Sequence, residues 1–478
     1  MVYSPSSFQQ SQDLTTDDQA IIEAGYVPQL RRRLGFFSSF AISFSFMSVL
    51  TGVYANYGFV LGKAGPFGYW SWLLVAAGHT LTALVFAEMA GRIPLTGCSY
   101  NWNNKLTSPL IGWFAGWMAL FAYTVGVAAV SVTIVPILQS IFGISIDPNL
   151  TRLLGTLLIV LQVGINIYGV RAAAYFNLWA VSAELVAIFL FTILLAVVWL
   201  LNGHPNTAQI ASIPAEPRPY WPAFLMACLL GSWTLLGFEG AADISEETVE
   251  VKRVAPKAII HSVLFCSLIG FVFTLVLTLS ISDVDAVKAA SDPLSAIVST
   301  NLGGALGRLF LILVLVSVFA CSLVNMTGAT RVLFAMSRDR RFLASNWLSK
   351  VSNHQVPANA TWLVGLVSIV FLCASDTATA LYGAGAVLFA LFYLMTVLGY
   401  AKSIRNLPAT DTFSLGRWHW PVVSLASIWL VVEIGILTIP DEFHPVAFAT
   451  AIVLVVGCAC YWMAARRTGH SGRTQQVR

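Results

Sequence analysis

Charge is scarce in this 478-residue chain. Asp, Glu, Lys and Arg together make 10% of it, against 57% hydrophobic residues and a mean hydropathy of +0.78. A soluble domain carries about 25% charged residues, so a water-soluble globular fold is excluded and a polytopic membrane protein is expected. The net charge of +4 carries no nucleic-acid signal, because the basic residues gather at the ends of apolar runs. Histidine is scarce too, at seven, and His204, His354 and His444 fall in loops. A convergent nucleophile–base or metal set is missing, so no enzyme activity, cofactor or metal is expected. The seven cysteines form no zinc-spaced pair of CxxC motifs and sit mostly in or beside apolar runs, as reduced small hydrophobes. Repeated pore loops and charged rings, which a channel requires, are lacking. The first 33 residues are polar and end in Arg31-Arg32-Arg33, so no cleavable leader is expected.

What the chain has is apolar runs. A membrane span needs ~20 mostly apolar residues, and twelve segments qualify: 36–62, 67–91, 111–141, 152–170, 175–201, 221–243, 256–281, 305–336, 359–375, 380–403, 419–439 and 444–465. They are called segments 1 to 12. Residues 106–146 hold no charge, a run longer than one span requires, so part of it is expected to be loop or tilted helix. With both termini in the cytoplasm, 21 of the 26 lysines and arginines fall on the cytoplasmic side. Only Lys63, Arg152, Arg218, Lys288 and Arg308 fall outside. This follows the positive-inside rule and predicts a multi-pass protein of the cell membrane.

Segments 1 and 6 are interrupted, at Ser48-Val49-Leu50-Thr51-Gly52-Val53-Tyr54 and at Thr234-Leu235-Leu236-Gly237-Phe238-Glu239-Gly240. A bilayer core offers no water to free N–H and C=O groups, so broken backbone survives there only inside protein or along a cavity. Paired breaks in equivalent positions of two halves point to a secondary transporter's binding site.

Several stretches then carry a resemblance. They are Gly25-Tyr26 to Leu34 with Ala41–Gly52; Ala87-Glu88 through Pro94, Gly97, Cys98 and Tyr100; Gly237–Thr248 with Pro256-Lys257-Ala258-Ile259; and Arg331–Asp339. In this order they resemble the amino acid–polyamine–organocation superfamily, nearest to its amino acid/choline branch, which includes GABA permeases and plant bidirectional amino acid transporters. The likeness runs from about residue 25 to 465. It implies an all-α fold with a 5+5 inverted repeat: helices 1–5 over 34–203, helices 6–10 over 204–403, two extra helices over 404–467, and cytoplasmic tails at 1–33 and 468–478. Three positions depart from the pattern: Cys98 replaces a glycine, Glu239 stands where the branch usually has Asp, and Glu184 stands where relatives often carry Lys or His.

The expected substrate is an amino acid or related small amine such as GABA, with choline or a polyamine as the alternative. The amides freed around Thr51, Gly52 and Val53 open a half-helix whose N-terminus carries roughly +0.5 charge and suits a carboxylate. Ser48, Thr51 and Tyr54 stand beside them, and small residues here also serve helix packing. The carbonyls of about Ser232, Trp233, Thr234 and Leu235 suit an ammonium group. Trp233 and Phe238, flanking Gly237, cover the site or only pack. Tyr123 of segment 3 completes the candidate substrate set.

Glu239 is the first candidate for carrying a coupling proton and Glu184 the second, since an intramembrane acid is a functional candidate by default. The rival is sodium held at Glu184 with Ser317 or Ser322. Each acid also has a structural reading, as a cap or ion-pair partner. Glu433 reads as structural or as a contact in a homodimer, and His79 as a packing histidine. Glu88, Arg92, Glu246, Glu247, Arg331, Arg338 and Asp339 read as gate or loop ion pairs. The implied partners are the substrate, H+ or Na+, and the lipid bilayer.

Overall fold

The computed structural model describes residues 16–23, 25, 32–168, 170–203, 207–211, 213–214, 219–290, 292–353, 356–375, 377–407, 410 and 412–474. Tyr26, Arg31, His204, Arg218, His354 and Arg478 of the foregoing analysis lie outside the described residues. Within them the chain is 84% helix with no strand, and one isolated bridge pairs Leu34 with Thr248.

Helix starts and stops follow local chemistry. Pro109, Pro148 and Pro293 each open a helix at a position whose N–H needs no partner. The Ser108, Asp292 and Thr377 side chains accept from amides in the first turn. Gly65 and Gly143 end helices at positive φ. Segment 3 is one continuous helix, Pro109–Phe142. The charge-free run is therefore mostly helix, separated from the short helix Cys98–Leu106 by Thr107 and Ser108 and ending in loop at 143–146.

Among the described residues, ten helices are long and apolar enough to cross a membrane. The expected count of twelve differs at two segments. Segment 9 is a 17-residue apolar helix, Ala358–Ala374. Segment 6 is divided into Tyr220–Met226, Leu229–Thr234 and Gly240–Asp243, each too short to span alone.

Segment 3 packs against segments 8 and 10 at the centre. In its most apolar stretch 89% of residues are buried, against 22% for segment 12, so segment 3 is core and segment 12 is rim. Rim residues such as Val186, Leu264 and Val455 turn apolar side chains outward, as a lipid-facing surface requires.

Candidate functional site

Segment 1 is two helices, Phe36–Met47 and Val49–Ala64, separated at Ser48, whose φ is 22°. A serine holds such a conformation only where its surroundings over-determine it, and here they do. The Ser48 hydroxyl donates to Glu184 Oε1 at 3.0 Å and accepts from the Thr51 amide at 3.3 Å. Thr51 Oγ1 is 2.6 Å from the same hydroxyl. The Leu50 amide donates to Glu184 Oε1 at 3.1 Å. The Gly52 amide is already bonded to Ser48 O at 3.0 Å. The open amides are therefore those of Val49, Leu50 and Thr51, upstream of the Thr51–Val53 stretch that the sequence suggested. Glu184, buried in segment 5, caps the Leu50 amide, and the Ser48 hydroxyl caps that of Thr51.

The segment 6 break runs from Leu235 to Glu239. Gly237 sits at φ 87°, and a Cβ there would lie 2.5 Å from Phe46 Cβ. The Phe46 ring fills a slot whose walls are Gly237, Gly240 and Gly328. Ser43 bridges the two breaks by donating to Phe238 O and accepting from the Ala241 amide, both at 2.9 Å. The breaks also meet directly, since a Cβ on Gly52 would lie 2.0 Å from Thr234 Oγ1. Of the break carbonyls, Leu235 O faces His79 Nδ1 at 3.1 Å, and His79 Nε2 lies 2.9 Å from Glu433 Oε1. Glu433 is buried on this internal partner, which places it away from any surface a second copy would touch. His79 is accordingly a fully partnered packing histidine.

The two candidate aromatics point to different neighbours. Trp233 lies 4.9 Å from the Tyr382 ring and edges onto Gly126 and Gly385. Phe238 stacks on Tyr393 at 4.8 Å and meets Phe86 edge-on. Ser232 Oγ is buried without a hydrogen-bond partner. Val53 is buried. The Tyr54 hydroxyl turns away to the loop between segments 7 and 8, donating to Asp292 Oδ2 at 3.0 Å beside Ser140 Oγ at 2.9 Å. Burial pushes the Asp292 carboxyl above its ordinary range.

Tyr123 joins two buried acids. Its hydroxyl lies 2.5 Å from Glu239 Oε1 and 2.6 Å from Asp243 Oδ2. The second Glu239 oxygen accepts from the Tyr393 hydroxyl at 2.5 Å, and Tyr393 Oη accepts from the Gly237 amide at 3.0 Å. Asp243, Tyr393, Ser43 and Phe46 were not singled out from the sequence. Asp243 was discoverable: an acid four residues after Glu239, within the same apolar run, belongs to the same helical face.

Ser317 stands beside Glu184. Ser322 does not join them; it donates to Gln162 Oε1 at 3.0 Å, between segments 3 and 4. The sodium set thus keeps one of its two serines. Among the described residues no cluster of three or more His, Cys, Asp or Glu is placed to hold a metal ion.

At the basic ends, Arg331 pairs with Glu247 at 2.9 Å and Arg338 with Glu246 at 3.1 Å. Tyr100 donates to Asp339 at 2.7 Å. Glu88 accepts from Arg92, Tyr400, Ser414 and the Leu415 amide.

Residues 34–461 match the family model described as amino acid permease. The chain belongs to that family. It is 25% identical to the amino-acid permease BAT1 of Arabidopsis thaliana over 95% of this chain and 96% of that one. It is 24% identical to amino-acid permease 2 of Neurospora crassa, over 86% and 80% of the two chains. It is 23% identical to the thiamine transporter thi9 of Schizosaccharomyces pombe, over 94% and 85%. Transport through a membrane, and not catalysis, is what these relatives share.

Proposed function

We propose that this member of the amino acid permease family is a secondary-active transporter that moves an amino acid or related small amine by alternating access, linked to protons. The observation that carries the reading is the meeting of two backbone breaks at one buried place, Gly52 against Thr234. That is where half-helix ends of opposite polarity face a zwitterion. The twelve-span count with a 5+5 repeat belongs to the same proposal. It is supported by the two segments that fall short as spans being one short apolar helix and one broken one. The excess of basic residues on one side supports cytoplasmic termini and a cell-membrane location.

Glu184 refines the reading. A second carboxylate on the Leu50 and Thr51 amides would lie about 4 Å from it, and two unit charges at that distance repel by about 4 kcal/mol at an effective dielectric of 20. Glu184 must therefore be neutralised or leave when a substrate carboxylate docks, which links a proton to substrate binding. The second reading is a carboxylate-free organic cation, with Glu184 as the resident anion. It is favoured by the occupied break and by the relative that is named a thiamine transporter. Sodium coupling is the less supported course, because Ser322 faces elsewhere.

The test is uptake and counterflow in proteoliposomes with an imposed pH gradient in sodium-free medium, using amino acids, GABA, choline and polyamines. Glu184→Gln is expected to tighten carboxylate substrates at high pH and flatten the pH dependence of their affinity. Accumulation that needs sodium and ignores the proton gradient refutes the proton link. Tightening absent for every carboxylate, with choline-like cations transported, selects the second reading.

A further inference from the structure

Tyr123 Oη makes two short contacts to carboxylate oxygens of different residues, 2.5 Å to Glu239 and 2.6 Å to Asp243. A phenol has one hydrogen to donate. One contact is that donation. The other is a hydrogen bond only if a carboxylic acid O–H donates back to the phenol oxygen. All three groups are buried, Glu239 and Asp243 at 0% and 1% exposure, and two carboxylates sharing a dry site hold one proton between them.

The surroundings say which acid holds it. Asp243 lies by the first residue of the helix Cys98–Leu106, facing both the Cys98 thiol and its amide, and within electrostatic range of Arg331. A helix N-terminus and a cation both favour an anion. Arg331 is committed to Glu247 but keeps its charge. Glu239 faces the two phenols of Tyr123 and Tyr393 and, farther off, His79, whose nitrogens are engaged with Leu235 and Glu433. Its closest acidic neighbour is Asp243, which penalises a second charge.

We propose that Glu239, Tyr123 and Asp243 form a single-proton relay: the proton rests on Glu239, beside the segment 6 break, and leaves through Tyr123 to Asp243. In the transfer, Glu239 Oε1–H passes its proton to Tyr123 Oη while Tyr123 Oη–H passes its own to Asp243 Oδ2. Glu239 becomes a carboxylate, Tyr123 stays a neutral phenol and Asp243 becomes a carboxylic acid; the unit keeps one negative charge throughout. Asp243 is the station nearer Arg331, Glu246 and Glu247, so the relay runs from the middle of the bundle to its basic end. That this proton drives transport rests on the function proposed above; where it resides does not.

The test reads the C=O stretch of protonated carboxyls by infrared spectroscopy on the purified full-length protein in D2O and H2O. A band lost in Glu239→Gln and kept in Asp243→Asn is the expected result. A band lost only in Asp243→Asn, kept in both, or absent from the wild-type protein across its stable pH range overturns the assignment. Should Glu239→Gln fail to fold, carboxyl-13C-labelled aspartate in the wild-type chain decides: the Tyr123-sensitive band stays in place if a glutamate holds the proton and shifts if Asp243 does. The relay is tested in proteoliposomes. Asp243→Asn and Tyr123→Phe each lower proton-driven accumulation, and the double variant loses no more than either one, as steps in series require. Additive losses overturn the relay. A wild-type protein with the band and no uptake of any substrate refutes the transport reading alone.

Discussion

Gly52 is the narrowest contact between the two breaks, and alanine there is the smallest perturbation that probes it. A Cβ at this position lies 2.0, 2.6 and 2.7 Å from Oγ1, Cβ and Cγ2 of Thr234, whereas ordinary contact begins at 3.4 Å. Rotating Thr234 moves Oγ1 and Cγ2 but not its Cβ, and its hydroxyl is also tied to Leu230 O at 2.5 Å. The backbones of segments 1 and 6 must then separate by roughly 1 Å, and overpacking of this kind costs about 1–3 kcal/mol. With backbone-anchored atoms on both sides the upper end of that range is expected. The assay is thermal unfolding in detergent for Gly52→Ala, Thr234→Gly and the pair. Thr234→Gly removes all three atoms and carries its own helix penalty of about 1 kcal/mol, so the interaction energy of the cycle, and not either single loss, is the readout. A clearly favourable coupling supports the contact. Wild-type stability in Gly52→Ala, or strict additivity, refutes the reasoning. The larger Gly52→Leu change is expected to destabilise the protein further, so loss of binding in it does not isolate the carboxylate subsite.

Trp233→Ala removes a ring held between Gly126, Gly385 and Tyr382; truncations of this size cost about 3–5 kcal/mol, seen as a large fall in melting temperature, and unchanged melting with lost substrate affinity would instead assign the ring to the substrate. Glu88→Gln leaves the Arg92 guanidinium beside a neutral amide and weakens the tie of segments 2 and 10 to the loop at Ser414 and Leu415. Breaking a buried pair costs about 3–5 kcal/mol, and proteolysis of that loop in the variant reports it; unchanged cleavage argues against the tie. The raised Asp292 carboxyl binds its proton more tightly in the folded state, so its contribution is full below the unfolded value and is lost as pH rises through the folded one. The melting temperature of wild type relative to Asp292→Asn is expected to fall as pH rises across the acidic range, and a pH-independent difference refutes it.

The spans were legible because a bilayer demands one thing of every residue in them, and apolar length records it. The runs at 111–141 and 305–336 became helices with ends within two residues of the expected ones. Segment 6 was legible as broken but not as three pieces; its break after Thr234 depends on Gly237 at φ 87° and on Ser43 reaching across from segment 1. The register of the segment 1 break was misread by one to two residues. Gly52 does serve close backbone approach, against Thr234, while the strained position is Ser48. Sequence marked Ser322 and Ser317 alike, but a helix turns residues five apart to different faces, and Ser322 went to Gln162. The pairing of Tyr123 with two acids joins segments 3 and 6, a long-range contact that no local pattern records.

The occupied break explains why an acid at position 184 is compatible with a dry interior. Open amides at Val49, Leu50 and Thr51 would each be an unpaired donor in a medium without water, at a cost of about 1–3 kcal/mol apiece. A transporter that left these amides to a substrate carboxylate alone would face that deficit whenever the site is empty. Here Glu184 and Ser48 meet it from within the protein; on the proposed reading this is the group that a substrate carboxylate displaces. Displacement releases an anion into low-dielectric surroundings, which favours its taking a proton. On the proposed reading, Glu184 then couples the filling of segment 1 to a proton, while the Glu239–Tyr123–Asp243 unit couples the segment 6 side. The two sites are separate in space, segment 5 against segment 1 and segment 3 against segment 6, and glutamine at 184 and asparagine at 243 therefore perturb different steps: the first changes how substrate affinity depends on pH, the second how far a pH gradient drives accumulation.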